Sequence, residues 1–186
     1  MKSGIDKKLL TYGFIAYYIF VCWFILCRFN IPEFCGKYRG IELVPFADMN
    51  NFTSGFAKNY SILGNILAFI PIGIYMSLFF QEKTSKPVMK WLLVLGVIIG
   101  SSLFLEVVQY VCAIGFSSIT DVIHNSLGGV IGIGLYFILK SFIKDEIVNH
   151  INRVVIIVFF AVDLFAVVNT IVHIDLYVDL YVDLYP

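Results

Sequence analysis

Three carboxylic acids stand inside long apolar runs of this sequence, and two of them, Glu106 and Asp121, lie in consecutive runs. An ionisable group in apolar surroundings is unfavourable unless a partner or a function offsets its cost. Two such acids could work as general acid and general base, or could belong to a binding site. The alternative is a structural role, in which each carboxyl group only joins helices through hydrogen bonds. Further polar residues in apolar runs are Asn65, Gln109, His124, Asn125 and Asp163.

Helical spacing groups these residues on two surfaces that can meet. Gln109 follows Glu106 by three positions and therefore shares its helix face. Asn125 follows Asp121 by four positions and shares its face for the same reason. Because only residues 115–118 separate the two apolar runs, we expect a tight turn there and antiparallel neighbouring helices. One polar pair should then face the other across a single interface.

The start of the later helix is marked by its own residues. Ser118 suits the N-cap, and Asp121 in the first turn suits the positive end of the helix dipole. Asn65 belongs to an earlier run and is expected at a similar depth, so three helices should contribute to one polar layer. His124 is interpreted as a lining residue, because no metal-ligand pattern accompanies it. No metal or cofactor is predicted, and the sequence identifies no partner for Asp163.

The composition requires a membrane around these helices. Of the 186 residues, 60% are hydrophobic and 14% are charged, with a mean hydropathy of +0.89, whereas soluble domains have about 25% charged residues. The formal net charge of +0 gives no reason to expect a nucleic-acid partner. The predicted fold is an all-α, multi-pass transmembrane helical bundle, because a span needs about 20 apolar residues. The runs of this length are Leu9–Cys27, Tyr60–Phe80, Trp91–Ile114, Ile119–Phe142 and Val154–Ile174.

The distribution of basic residues predicts the orientation. Of the 13 Lys and Arg residues, nine flank one end of the predicted helices and four flank the other, which places the N-terminus inside and the C-terminus outside. The loop 28–59 is then extracytoplasmic, and Leu43–Phe46 within it is apolar enough to enter the membrane interface. Residues 1–174 are predicted to form one membrane domain. The repeated Val-Asp-Leu-Tyr sequence in 175–186 is predicted to be an unconstrained tail.

Short motifs follow one another over residues 39–137. They are Arg39 with Pro45 and Phe46, Asn65 with Phe69, Pro71 and Gly73, Glu106 with Gln109, and Asp121 with Asn125 and Gly128. In this combination they resemble the VanZ-like family of small membrane proteins. Pro71 removes a helical hydrogen bond, Gly73 lets another helix approach, and Gly128 begins a Gly-x-x-x-Gly packing motif.

The resemblance implies a physiological setting and leaves the reaction open. A member of the family is associated with low-level resistance to teicoplanin, a glycopeptide that targets the cell-wall precursor. This implies the cell membrane of a Gram-positive bacterium. The implied partners are membrane lipid, the glycopeptide or a lipid-linked cell-wall precursor, and a second copy of the chain. The implied binding residues are Arg39, Glu42, Pro45, Phe46, Asn65, Glu106, Gln109, Asp121 and Asn125.

Three features depart from the pattern of the family. Glu42 stands where many members have Asn, and Ser118 stands where an Asp is common. The arginine that is often found in the turn before Asp121 is absent. The departures therefore concern the charge around the predicted site.

Three functions remain open at the level of sequence. A binding or barrier protein at the outer face would alter how a glycopeptide meets the membrane or the lipid-linked precursor. A membrane enzyme acting on a lipid or wall precursor would use Glu106 and Asp121 as acid and base, with Arg39 holding a phosphate or carboxylate. A transporter or assembly partner would need an oligomer to enclose a path, because the five predicted helices have no evident inverted repeat.

Overall fold

The computed structural model describes residues 5–27, 38–47, 55–81 and 87–184. Within these ranges each of the five helices contains a segment long and apolar enough to cross a membrane. The predicted all-α, multi-pass fold is therefore confirmed, whereas its orientation in the membrane stays a prediction. The elements in chain order are α1 (Lys7–Cys27), β1 (Tyr38–Glu42), α2 (Gly55–Phe80), α3 (Pro87–Cys112), β2 (Ile114–Ser118), α4 (Ile119–Lys140) and α5 (Asp145–Leu184).

The contacts of the chain divide it into two units. We call residues 34–144 the central unit, and residues 1–33 with 145–186 the terminal unit, after their places in the sequence. The central unit contains both strands and helices α2, α3 and α4, and the terminal unit contains α1 and α5. The single membrane domain expected over 1–174 stays a prediction.

In the central unit, α4 presents glycines to α2 and the two helices approach closely. A Cβ atom at Gly128 would meet the carbonyl oxygen of Ile66, and a Cβ atom at Gly132 would meet that of Ile70. Lipid gives membrane helices no hydrophobic drive to associate, so close van der Waals packing of this kind carries much of the association. Helix α2 remains one continuous helix through Pro71. The glycine contacts fix which part of α2 lies beside the start of α4.

Strands β1 and β2 lie where α3 ends and α4 begins. They pair in parallel over five residues, the last pair being Glu42 opposite Ser118. A parallel pair needs a long crossover connection, and helices α2 and α3 supply it. The prediction of a tight turn over 115–118 is wrong, because Ala113 adopts a φ of 52° and leads the chain from α3 into an extended strand.

In the terminal unit, α1 and α5 are packed through aromatic rings. The ring centroid of Phe159 lies 5.0 Å from that of Tyr17, edge to face, and 4.9 Å from that of Phe20. Edge-to-face and tilted arrangements suit the charge distribution of aromatic rings. Near the start of α1, the backbone N–H of Asp6 donates a hydrogen bond to Asn149 Oδ1 (2.9 Å). Helices α1 and α5 are therefore joined by aromatic contacts along their length and by a backbone-to-side-chain hydrogen bond near the start of α1.

Helix α5 extends beyond the predicted span Val154–Ile174 at both ends. It begins at Asp145 and has two acidic residues in its first turn, where they are favoured by the helix dipole. It continues to Leu184, so that residues 175–184 of the predicted tail are helical. Neither glycine nor proline occurs in 154–184, which allows the helix to run through the repeated sequence.

Candidate functional site at the start of α4

Glu106 joins the last turns of α3 to the residues that precede α4. Its Oε2 accepts a hydrogen bond from the backbone N–H of Ser118 (2.8 Å), and its carbonyl oxygen accepts one from Ser117 Oγ (2.7 Å). Ser118 is the N-cap of α4, as predicted, and its Oγ accepts a hydrogen bond from the Thr120 N–H (3.2 Å). Because the start of a helix carries partial positive charge, the buried Glu106 carboxylate is favoured there.

Two further hydrogen bonds connect α4 to the neighbouring helices. Asn65 Nδ2, from α2, donates to Asp121 Oδ1 (2.6 Å). Asn125 Nδ2 donates to Ser102 Oγ of α3 (2.9 Å), and both of these side chains are fully buried. Three helices therefore contribute polar side chains to one layer. We call this set the α4 N-terminal cluster; its members are Asn65, Ser102, Glu106, Ser118, Asp121 and Asn125.

The structure matches the expected grouping in part. It brings Asn65 to Asp121, as expected from their depths. The expectation that Glu106 and Gln109 face Asp121 and Asn125 stays a prediction. In the structure, the Ser118 N–H donates to the Glu106 carboxylate and the Asn125 amide donates to Ser102. Gln109 is buried three residues after Glu106 on α3.

A turn that follows β1 is attached directly to the start of α4. The backbone N–H of Phe46 donates to Thr120 Oγ1 (2.8 Å), and Phe46 has a φ of 65°. The Phe46 ring centroid lies 6.2 Å from that of His124. Glu42 Oε1 accepts a hydrogen bond from the Val44 N–H (3.0 Å), which holds the first part of the turn. Residues 43–46, which we call the apolar turn, are thus fixed beside the cluster.

Exposed apolar side chains surround this buried polar layer. Pro45 is exposed, and so are Leu43 (73%), Val44 (62%) and Phe46 (47%) of the apolar turn. Phe116 of β2 is 65% exposed, and its ring covers Gly40 on β1, where a Cβ atom would collide with it. Apolar groups on this scale at the end of a membrane span are suited to contact with lipid.

The strand register places two of the three departures from the family pattern, Glu42 and Ser118, opposite each other. Glu42 of β1 is the partner of Ser118 of β2, and Arg39 is the partner of Gly115. Only the backbone of Arg39 lies within the described structure, so its side-chain role stays a prediction. In parallel strands, residues in register have neighbouring side chains, so the charge at position 42 bears directly on position 118.

Two buried polar atoms of α4 have no hydrogen-bond partner within the described residues: His124 Nδ1 and Asn125 Oδ1. Buried polar atoms are normally satisfied by protein, water or ligand, so these atoms mark positions where a small polar group could bind. The described residues contain no group of three or more His, Cys, Asp or Glu side chains arranged to hold a metal ion.

Several members of the site were missed in the sequence because they are hydroxyl residues. Ser102, Ser117 and Thr120 each make a hydrogen bond that shapes the cluster. Serine and threonine cost little in membrane helices, so their presence in an apolar run is a weak signal. For Ser102 a usable signal existed, because it precedes Glu106 by four residues and therefore shares its helix face.

Comparison with known proteins gives this architecture a family. A family model described as VanZ/LLP1 matches residues 14–140. The chain belongs to the VanZ/LLP1 family. It is 32% identical to Protein VanZ of Enterococcus faecium over 155 residues, which cover 81% of this chain and 86% of that protein. No solved structure matches the chain. The matched range of this VanZ/LLP1 protein begins within α1 and includes every residue of the α4 N-terminal cluster.

Proposed function

We propose that this VanZ/LLP1 protein lowers the susceptibility of a Gram-positive bacterium to glycopeptides by binding an amphiphilic ligand at the extracytoplasmic face of its cell membrane. The ligand would be a lipophilic glycopeptide or a lipid-linked cell-wall precursor. One observation carries the proposal: a buried polar layer from three helices lies directly beside an exposed apolar turn, and the Phe46–Thr120 hydrogen bond joins the two.

The two parts of the site fit the two parts of such a ligand. Leu43, Val44 and Phe46 are exposed and can enter the membrane interface, where the lipid portion of the ligand lies. The α4 N-terminal cluster, which contains the carboxyl groups of Glu106 and Asp121, and the buried His124 Nδ1 offer hydrogen-bonding groups to its polar portion. Arg39 is proposed to hold an anionic group of the ligand, in line with the family resemblance.

The excess of basic residues at the opposite helix ends supports the extracytoplasmic location. A matched pair of exposed phenylalanines can test it, because Phe116 lies beside the cluster and Phe142 follows α4. In a cysteine-free background, a membrane-impermeant thiol reagent should label Phe116→Cys in intact cells and should label Phe142→Cys only after lysis. The reverse result would place the site inside and contradict the proposal.

The functional test uses a susceptible Gram-positive host that expresses the chain or its variants at equal membrane levels. The wild type should raise the inhibitory concentration of teicoplanin more than that of vancomycin. Glu106→Gln, Asp121→Asn and Arg39→Ala should each reduce this protection, and Glu146→Gln, an exposed acid on α5, is the control. No protection by the wild type, or equal loss in the control, would contradict the proposal.

An enzyme acting on a lipid or wall precursor is the second candidate. It is favoured by one observation, namely that His124, with its buried and unpaired Nδ1, lies one helical turn after Asp121. An imidazole beside a carboxylate is a common arrangement for proton transfer. In that case Glu106→Gln or His124→Gln should abolish protection completely at full membrane level, and mass spectrometry of host lipids and precursors should find a changed species. Graded losses with unchanged species support binding.

A further inference from the structure

The end of the central unit that lies opposite the α4 N-terminal cluster holds a second group of side chains. Lys90, in the first turn of α3, is only 9% exposed, although lysines are rarely buried without a partner. Its Nζ lies 4.6 Å from the ring centroid of Trp91 and 5.7 Å from that of Tyr136. Lys140 Nζ, at the end of α4, lies 5.6 Å from the same Tyr136 ring. We call these four residues the lysine site.

The positive charge of the lysine site lacks a full negative counterpart within the described residues. The contacts that the structure gives to both ammonium groups are with aromatic rings, which attract cations but carry no net charge. Lys90 and Lys140 also repel each other. The start of α3 adds partial positive charge, and the ends of α2 and α4 add about half an elementary negative charge each. Among the residues that the structure describes, the balance therefore remains positive, which favours an anion.

The aromatic residues hold this site in a defined geometry. Tyr136 is 3% exposed, and its hydroxyl donates a hydrogen bond to Gln81 Oε1 (3.2 Å) at the end of α2. The Trp91 ring lies 4.6 Å from that of Phe137 on α4. Three helix ends are thereby joined around the two lysines. Tryptophan and tyrosine at the ends of membrane spans lie at the level of lipid headgroups, so the anion most accessible to this site belongs to a lipid.

We propose that the lysine site binds the phosphate group of an anionic membrane lipid, on the side of the membrane opposite the α4 N-terminal cluster. Lysine suits this ligand because its compact ammonium group donates up to three hydrogen bonds to phosphate oxygens. Lys90 and Lys140 neutralise the phosphate, and the partly exposed Trp91 ring contacts the glycerol region, whereas the buried Tyr136 ring holds the two ammonium groups in place. The site is independent of the proposed glycopeptide function and would exist whether or not that function holds.

Trp91 can report on the lipid directly, because the chain has only one other tryptophan, Trp23. In a Trp23→Phe background, the full chain is reconstituted in phosphatidylcholine vesicles with a minority of phosphatidylglycerol. Bromine atoms that quench tryptophan are placed on the acyl chains of one lipid or the other at equal mole fraction. The ratio of quenching measures enrichment of phosphatidylglycerol beside Trp91, and we expect it to be about fivefold.

Variants distinguish lipid binding at the lysine site from a general attraction of anionic lipid by surface charge. Lys140→Gln should remove most of the enrichment, and because Lys140 is exposed this change is compatible with folding. Lys90→Gln should act similarly and Lys90→Arg should retain the enrichment, with circular dichroism to check the helix content. Lys144→Gln is the matched control, because it removes an exposed lysine just after α4. Equal quenching by both lipids, or equal loss in the Lys144 control, would overturn the proposal.

Inorganic phosphate distinguishes the lipid from a free anion. It is added to the same vesicles at constant ionic strength, with chloride as the reference salt. We expect the phosphatidylglycerol enrichment to persist, because a membrane lipid has a much higher local concentration at the site. If phosphate removes the enrichment as completely as Lys140→Gln does, the site binds free phosphate and the assignment to a lipid is wrong.

Discussion

The central and terminal units have similar hydropathy but are held together by different interactions. The spans in α1 and α2 have the same mean hydropathy of 2.0, yet 33% of the α1 span and 44% of the α2 span are buried. The central unit combines glycine packing with hydrogen bonds between helices, whereas the terminal unit relies on rings such as Tyr17 and Phe159. Asp163 Oδ1 of α5 is buried without a hydrogen-bond partner among the described residues. Hydropathy finds the spans, but glycines and polar residues identify the unit that carries a site.

The largest loss of thermal stability is expected from a substitution at the point where the helices of the central unit pack most closely. Gly128→Ala should reduce the thermal midpoint by roughly 5–10 °C, because the added Cβ meets the Ile66 carbonyl oxygen and forces α2 and α4 apart. Gly134→Ala is the control on the same helix, since nothing lies within 4 Å of its Cβ position. Thermal unfolding of the purified proteins in detergent measures both. Equal midpoints for the two variants would mean that close packing at glycine does not stabilise the central unit, and the contrast with the terminal unit would fail.

The hydrogen bonds between helices of the central unit should contribute less to its stability than the glycine packing does. A double-mutant cycle of Asn65→Ala and Asp121→Ala should give a coupling energy of about 0.6–1.7 kcal/mol, the range of interhelical hydrogen bonds in membrane proteins. Asn65→Ala combined with Ser77→Ala should be additive, because Ser77 bonds the carbonyl of Gly73 within α2. Reversible unfolding in mixed micelles gives the energies. A coupling near zero would indicate that the bond adds no stability, and the polar pair would then be retained for function alone.

The stability of the terminal unit is expected to depend on its aromatic ring contacts. Tyr17→Leu should reduce stability by about 0.5–1.5 kcal/mol beyond the change in buried area, because it removes the edge-to-face contact with Phe159. Tyr12→Leu is the control, since Tyr12 lies on the same helix and is 59% exposed. Hydrogen exchange should increase in α1 and α5 for the first variant. Increased exchange limited to α2 and α4 would contradict the assignment of Tyr17 to the terminal unit.

The parts of the molecule that the sequence predicts are those with a strong local signal. Five apolar runs predicted five helices, and Ser118 was identified as an N-cap from its position before an apolar run. The positions of Asn65 and Asp121 within apolar runs predicted that both belong to one polar layer, and the hydrogen bond between them is consistent with this. These predictions depend on hydropathy and on helical spacing, both of which act over a few residues.

The rest depends on contacts between distant residues or on weak local signals. The pairing of β1 with β2 joins residues far apart in the sequence, and neither five-residue strand has a long alternating pattern. The polar first turns of α5 were missed because a hydropathy criterion finds only the part of a helix that lies in lipid. The hydrogen bond from Ser118 to Glu106 could not be predicted, because a backbone N–H has no signature in the sequence.

The smallest predicted effect concerns the register of β1 and β2. Ser118→Asp introduces the acid that the family resemblance implies at this position and keeps a good N-cap, but it places a negative charge opposite Glu42 and beside Glu106. Like charges in register should reduce stability by roughly 0.2–1 kcal/mol. The double variant Glu42→Asn with Ser118→Asp should recover this loss, because one acid then remains in the pair.

Ser118→Asn is the control for this exchange, because it keeps an N-cap side chain and adds no charge. Thermal unfolding of the single and double variants measures the coupling between the two positions. If Ser118→Asp is equally destabilising with Glu42 and with Asn at position 42, the repulsion comes from Glu106, and positions 42 and 118 are independent. Recovery would instead mean that positions 42 and 118 repel each other directly, so that the strand pair tolerates one carboxylate in either strand but not in both.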